Sequence, residues 1–163
     1  MIPRDRLLEL LRYDSDTGKF QWITRRAGGR MYGKEAGTVR ASGYVLIKIN
    51  GKEYLAHRLA WMIAHGSDSE FEIDHINMVK TDNRIANLRE ATRAQNAANR
   101  KALSTNTSGH KGVSWVETSK KWKVMASING VNTYLGTYES KEEAADVYEA
   151  AHTKEFGDFA RVV

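Results

Sequence analysis

Two Asn-Gly dipeptides, Asn50-Gly51 and Asn129-Gly130, constrain the fold of this chain more than any other feature. Both central residues of a type I′ turn need positive φ, which asparagine and glycine tolerate best. Alternating segments flank each pair: Tyr44 to Ile49 and KEYLAH around the first, KKWKVMASI and VNTYLGTY around the second. Each dipeptide therefore predicts a tight antiparallel hairpin, and each hairpin runs into a helix signal. After the first, HRLAWMIAH stops at Gly66, a C-terminal glycine. After the second, Ser140-Lys-Glu-Glu143 reads as a capping box, with Ala144, Val147, Tyr148 and Ala151 recurring at helical spacing to face a sheet. KGVSWVE supplies a third strand ahead of the second hairpin.

The pattern predicts an α+β chain of two small units, and the 163 residues suffice for that. Residues 101–108, KALSTNTS, are small and polar without periodicity and read as a linker, which divides the chain into residues 1–100 and 109–163. At the N-terminus, Pro3 and the stripe Leu7, Leu8, Leu10, Leu11 predict a short helix, and GKFQWIT over 18–24 a strand. The stretch from Arg25 to Arg40 holds five basic residues against Glu35, with four glycines, and reads as a flexible cationic loop.

Composition narrows the chemistry. The chain has no cysteine, which removes disulfides, thiol nucleophiles, iron–sulfur clusters and cysteine-type structural zinc. Any metal must then sit on oxygen or imidazole ligands. No apolar run approaches the roughly 20 residues of a membrane span, and the charged N-terminus lacks a secretory apolar core, so a cytosolic protein is expected. A net charge of +5 suits a polyanionic partner.

The most informative stretch is EIDHINMVKTDNRIANLREATRAQNAAN, residues 72–99. Asp74 and His75 are adjacent, Asn83 and Asn87 lie four apart, and Asn96 falls in the next helical segment. Adjacent strand residues point to opposite faces, so Asp74 and His75 can serve different chemical centres if the strand ends there. One carboxylate and one carboxamide oxygen suit a hard cation that keeps positions for water and phosphate. A histidine beside it can take the proton of an attacking water. Spacing alone leaves a plainer arrangement equally open, with Asp-His as a turn contact and the asparagines as turn or cap residues. Arg84, Arg89, Arg93, Arg100 and Lys101 against Glu90 make the flank cationic, as a phosphate-contacting surface should be.

With HRLAW at 57–61, IDHIN at 73–77 and DNRIANLREAT…QN at 82–96, the first hundred residues resemble the HNH nucleases of the ββα-metal fold, in particular phage and intron-encoded homing endonucleases. The resemblance implies that Asp74 and Asn96 are metal ligands, that His75 is the general base, and that Asn87 orients the active-site loop and the histidine. His57 matches a family position with a structural role. One departure is Asn77-Met78, where relatives usually carry an acidic residue and glycine. Mg²⁺ or Mn²⁺ is the implied cofactor, with no structural zinc.

Residues 109–163, through HKGVSW, KKWKV, YLGTY and ESKEEAADVYEAAHTKEFGDFARV, resemble the APETALA2 or ethylene-response-factor type of DNA-binding domain, a three-stranded antiparallel sheet on one helix. Charge agrees independently: residues 110–137 hold four lysines against Glu117, whereas residues 138–158 hold seven acids against two lysines. The sheet should face DNA and the helix should face away. Lys111, Ser114, Trp115, Lys121 and Lys123 are the residues expected near DNA, with Trp122 in the core; Trp115 is open to either role. Ser114 and Val116 stand where plant members often have arginine.

The two resemblances together imply a metal-dependent endonuclease of double-stranded DNA, homing-type, in a bacterial or phage-infected cell, with no membrane association and no obligatory protein partner. The rival reading is a noncatalytic DNA-binding regulator on the same scaffold.

Overall fold

The computed structural model describes residues 2–25, 31–102 and 105–161. The chain divides into two compact units, Met1–Ala91 and Thr92–Val163, and both mix helices with small antiparallel sheets.

In the first unit, helix α1 (Arg4–Leu10) leads directly into strand β1 (Leu11–Tyr13). The leucine stripe is thus shared between two elements. Leu7 and Leu10 bury one helix face, Leu11 is buried on the strand, and Leu8 is exposed. β1 pairs with β2 (Phe20–Trp22), and β2 with β3 (Glu35–Ala36). β4 (Thr38–Val39), β5 (Val45–Ile49) and β6 (Lys52–Leu55) form a second sheet. The cationic stretch expected as a loop therefore contributes two short strands, because Ala36 packs into the core and backbone pairing with β2 and β5 satisfies its polar groups. Residues 26–30 of that stretch lie outside the described residues.

The Asn50-Gly51 turn has φ of 49° and 84°, as its hairpin requires, and pairs Ile49 with Lys52. Helix α2 (Ala56–His65) follows and ends at Gly66 in the left-handed conformation. Its buried face, Ala56, Leu59, Ala60 and Met62, joins Leu7, Leu11, Ile47 and Ile49 in the core. β7 (Glu72–His75) and β8 (Leu88–Ala91) complete the unit as a two-stranded ribbon, with a 3₁₀ turn over Ile85–Asn87.

The second unit opens with helix α3 (Arg93–Ala98), whose start carries a complete capping box: the Thr92 side chain takes the Gln95 amide and Gln95 returns to Thr92. β9 (Val113–Val116), β10 (Lys121–Ile128) and β11 (Val131–Tyr138) form a meander, the last two joined at Asn129-Gly130 with φ of 52° and 76°. Helix α4 (Lys141–Phe156) packs on this sheet, with Ala144 and Tyr148 closing on Val113, Val124 and Ala126. Gly112 is required here, since a Cβ on it would lie 2.2 Å from the Tyr148 ring. The Ser140 side chain accepts from the amides of Glu142 and Glu143, so the cap forms. The reciprocal arm expected from Glu143 does not, because the serine hydroxyl instead donates to the Glu142 carboxylate. Residues 106–110 form a hydrogen-bonded turn in which Asn106 Oδ1 accepts from the Gly109 amide and Ser108 is buried. Among the described residues, no helix is long and apolar enough to cross a membrane.

Candidate active site

β7 ends at His75, and this is what separates the two adjacent candidates. The ribbon sets Asp74 opposite Arg89 and His75 opposite Leu88. On one face, the Asp74 carboxylate Oδ2 accepts from Arg89 Nε at 3.0 Å, both side chains being largely buried. A pair so enclosed is held by charge and geometry together, and removing either partner would strand the other. On the other face, His75 is 4% exposed and sits among rings: His57 meets it edge-on at 4.9 Å between centroids and Tyr44 lies at 6.1 Å.

Burial sets the protonation of both imidazoles. Desolvation pushes His57 down to about 3, with His75 and Arg58 adding to the effect, so His57 is a neutral ring at physiological pH. His57 Nδ1 has no hydrogen-bond partner among the described residues. Burial also lowers the His75 pKa; the Asn83 hydrogen bond and the Asp74 charge oppose that shift.

The loop between the ribbon strands is tied from inside by Asn87. Its Oδ1 accepts from the Asn77 amide at 3.0 Å, and its Nδ2 donates to Asn77 Oδ1 at 3.0 Å and to the Asp82 carbonyl at 2.8 Å. Asn77 in turn donates to Asp82 Oδ2 and accepts from the Val79 amide. The Ile76 amide bonds the Asn87 carbonyl, and the Met78 amide the His75 carbonyl. Met78 holds φ at 58°, a left-handed conformation that glycine adopts more readily than methionine. The loop keeps its shape with methionine because this network over-determines it.

The candidates fall into three groups. Asp74, His75 and Asn87 come together within the ribbon and its loop, whereas Asn96 lies half-buried on α3, in the second unit. Of the arginines, Arg84 makes two hydrogen bonds to Asp82, at 2.8 and 2.6 Å, and with Asn77 holds that carboxyl down to about 2. Arg89 is the counter-ion of Asp74, and Arg93 is exposed at the start of α3. In the second unit, Ser114, Lys123 and Thr137 share one row across the sheet, on the face turned away from Val113 and Val124, and Lys121 lies on that face too. Trp115 pairs with Trp122 on the face that carries Val113, its ring 5.1 Å from that of Trp122 and its Nε1 bonded to Glu117. Lys111 donates to the carbonyls of Ala98 and Arg161, and burial lowers its pKa to about 8.

Of two groups that act on the histidine, sequence reasoning noted Asn83 without giving it a role and passed over Lys80. Asn83 Oδ1 lies 3.3 Å from His75 Nε2. Its place four residues before Asn87 was the available signal. Lys80, whose Nζ sits 4.5 Å over the Tyr44 ring and bonds the Ser42 carbonyl, had none.

The chain is similar to known proteins. The family model described as HNH endonuclease matches residues 54–98, from β6 through α3. An uncharacterized HNH endonuclease of Acanthamoeba polyphaga mimivirus is 32% identical over 73% of this chain and 62% of its own length. Protein 3.8 of Escherichia phage T7 is 30% identical over 64% of this chain and 87% of its own. The chain belongs to the HNH endonuclease family. Family members are phosphodiester hydrolases that generally use a divalent metal. The chain thus spans under two thirds of the mimivirus relative. The HNH homing endonuclease I-HmuI, in a structure of its DNA binding and cleavage, is also similar, at 21% identity and a TM-score of 0.43, covering 84% of this chain and 76% of that one.

The donor set can be tested against a metal directly. Among the described residues, no group of three or more histidine, cysteine, aspartate or glutamate side chains could hold an ion. A carboxylate has about four lone-pair sites, so the bond that Asp74 Oδ2 accepts from Arg89 does not exhaust its capacity as an oxygen donor. One carboxylate and carboxamide oxygens fit a hard, water-keeping cation such as Mg²⁺ or Mn²⁺ and do not fit structural zinc.

Proposed function

We propose that this HNH protein is a metal-dependent endonuclease that hydrolyses phosphodiester bonds in double-stranded DNA, as a nick or a double-strand break, in the manner of the homing-type members. The observation that carries the reading is the end of β7, where a buried acid and a buried histidine leave one strand on opposite faces. In this reading, an oxygen donor and a proton acceptor would work side by side without neutralising one another.

In this reading His75 is the general base, receiving the proton of the attacking water on a ring nitrogen. Asp74, with Asn96 as the second oxygen donor, would hold a divalent cation, Mg²⁺ or Mn²⁺, which when bound supplies positive charge to the phosphate and the leaving oxygen. Arg89 holds the Asp74 carboxylate in one orientation. Asn87 holds the loop that follows the histidine, so that the ring does not have to be ordered at the moment of reaction. Arg84 and Arg93 offer charge to flanking phosphates.

The second unit is proposed as an APETALA2-type DNA-binding domain. A three-stranded sheet on one helix, basic on its open face and acidic along α4, supports that reading. Ser114, Lys121 and Lys123 share the open face and are the proposed contacts. Trp115, on the opposite face, would border the DNA from the sheet's edge, and Lys111 would reach it only by releasing its two carbonyls. The test is incubation of the full chain with supercoiled plasmid and Mg²⁺. Conversion to nicked or linear DNA, abolished by a chelator, is expected. Tight binding of intact plasmid without cleavage would identify the protein as a DNA-binding regulator instead.

A further inference from the structure

The hydrogen bonds around Asn83 decide which nitrogen of His75 accepts the proton. Asn83 is 3% exposed. Its Nδ2 donates to the Thr81 carbonyl at 3.3 Å. A carbonyl can only accept, so this contact fixes which end of the carboxamide is nitrogen. The other end, Oδ1, faces His75 Nε2 at 3.3 Å. An amide oxygen also can only accept, so Nε2 must carry the hydrogen and the lone pair of the neutral ring lies on Nδ1.

The N-terminal hairpin holds Asn83 in turn. The Tyr13 hydroxyl donates to the Asn83 carbonyl at 2.7 Å, and the Ile85 amide donates to the Ser15 carbonyl at 3.2 Å. Gly18, in the turn between β1 and β2, lies so close that a Cβ on it would sit 2.6 Å from the Asn83 carbonyl carbon and 2.5 Å from the Arg84 nitrogen. The turn itself is pre-built, since the Asp14 carboxylate accepts the amides of Asp16 and Thr17. Tyr13 to Gly18 lie outside the segment that matches the HNH family model.

We infer that Asn83 is a positioning residue that locks His75 as the Nε2–H tautomer, making Nδ1 the proton acceptor, and that the Tyr13–Gly18 hairpin is the brace that holds Asn83. The inference rests on His75 being the base, but its first readout is independent of cleavage. Long-range ¹H–¹⁵N correlation spectra of the full chain, recorded without metal at pH 8 and assigned by the signal lost in His75→Gln, report the tautomer directly. The wild type should show a single Nε2–H form. Asn83→Leu should give a mixture of tautomers and lower kcat by about tenfold to a hundredfold with KM unchanged. Asn83→Asp, which keeps an accepting oxygen, should restore the single tautomer and much of kcat. Tyr13→Phe loosens the brace without touching the pair and should shift the tautomer ratio in the same direction by less, so the proposal stays testable if Asn83→Leu does not fold. An Nδ1–H form in the wild type, or a tautomer ratio indifferent to both Asn83→Leu and Tyr13→Phe, overturns it. A locked Nε2–H tautomer in a protein that never cuts DNA would instead overturn the nuclease reading and leave the brace standing.

Discussion

The loop that follows β7 and the open face of the β9–β10–β11 sheet are both candidate DNA-facing surfaces, and they are built in opposite ways. The loop turns its polar groups inward: Asn77, Asp82, Asn83 and Asn87 bond one another, His75 or nearby backbone. The sheet face turns its side chains outward. Ser114, Tyr134 and Thr137 are exposed, Lys121 and Lys123 half-buried, and the ion pair of Lys121 with Glu139 is a long surface contact at 3.4 Å. A catalytic centre must be organised before substrate arrives, because reorganisation during reaction raises the barrier. A phosphate-binding surface needs only mobile charge, because its gain comes from released counterions. The contrast says that substitutions in the loop should act on rate and stability, and substitutions on the sheet on affinity.

The largest expected effect tests the chemical side of this contrast. His75→Ala should slow plasmid cleavage by about 10²- to 10⁴-fold while leaving DNA affinity nearly intact. Cleavage at the wild-type rate would remove the loop's claim to be the centre.

Asn87→Ala comes next. It deletes a side chain that makes three part-buried hydrogen bonds, worth a net of about 1 kcal/mol each with more for any group left unpaired. A loss of about 2–4 kcal/mol in urea unfolding is expected. Asn132→Ala on the exposed sheet should change it by less than about 0.5 kcal/mol. Equal losses would erase the distinction between the two surfaces.

A pH titration of stability sharpens it further. His57 stays neutral in the folded protein down to about pH 3, whereas in the unfolded chain it protonates below its ordinary value of 6.5. The unfolded state therefore binds the extra proton, and this contribution to stability is full above pH 6.5 and is lost as pH falls from there toward 3. The slope for one proton approaches about 1.4 kcal/mol per pH unit. Urea midpoints at pH 7, 6 and 5 should show it, and His57→Gln should flatten the profile by that amount.

On the sheet, Lys121→Gln and Lys123→Gln should each reduce the salt dependence of DNA binding by a slope of about 1, with kcat at saturating DNA unchanged. A fall in kcat instead would place these lysines in the chemistry. The smallest effect is expected at Met78. Replacement by glycine relieves roughly 1–2 kcal/mol of left-handed strain and costs about 0.5–1 kcal/mol of chain entropy. The net gain, under about 1 kcal/mol, is measurable as a small rise in urea midpoint. Destabilisation would show that the methionine side chain supports the loop.

Legibility in the sequence followed the range of the forces involved. Both Asn-Gly hairpins, the helix ending at Gly66 and the three C-terminal strands were readable because turn chemistry and alternation act over a few residues. The strand Glu72–His75 and the loop asparagines were recognisable from residue types at short spacing. The first strand was not, because Leu11 continues a helical leucine stripe and only pairing with Trp22 draws it out of the helix. Likewise β3 and β4 lie in a glycine-rich cationic stretch with no strand pattern, and are strands because β2 and β5 lend them partners.

What the sequence alone determined is the inventory: which groups can donate, accept, titrate or carry charge, and which local turns the backbone must take. Tertiary structure decided who meets whom. Arg89 could have faced solvent, but antiparallel register sets it against Asp74. Trp115 could have stood on either face, but strand register sets it beside Trp122 on the face that carries Val113. Asn83 became a partner of the histidine because a hairpin some 65–70 residues earlier, through Tyr13 and Gly18, holds its backbone there. Such choices rest on contacts between residues far apart in the chain. Their closure is paid for by the whole core, so no local spacing encodes them.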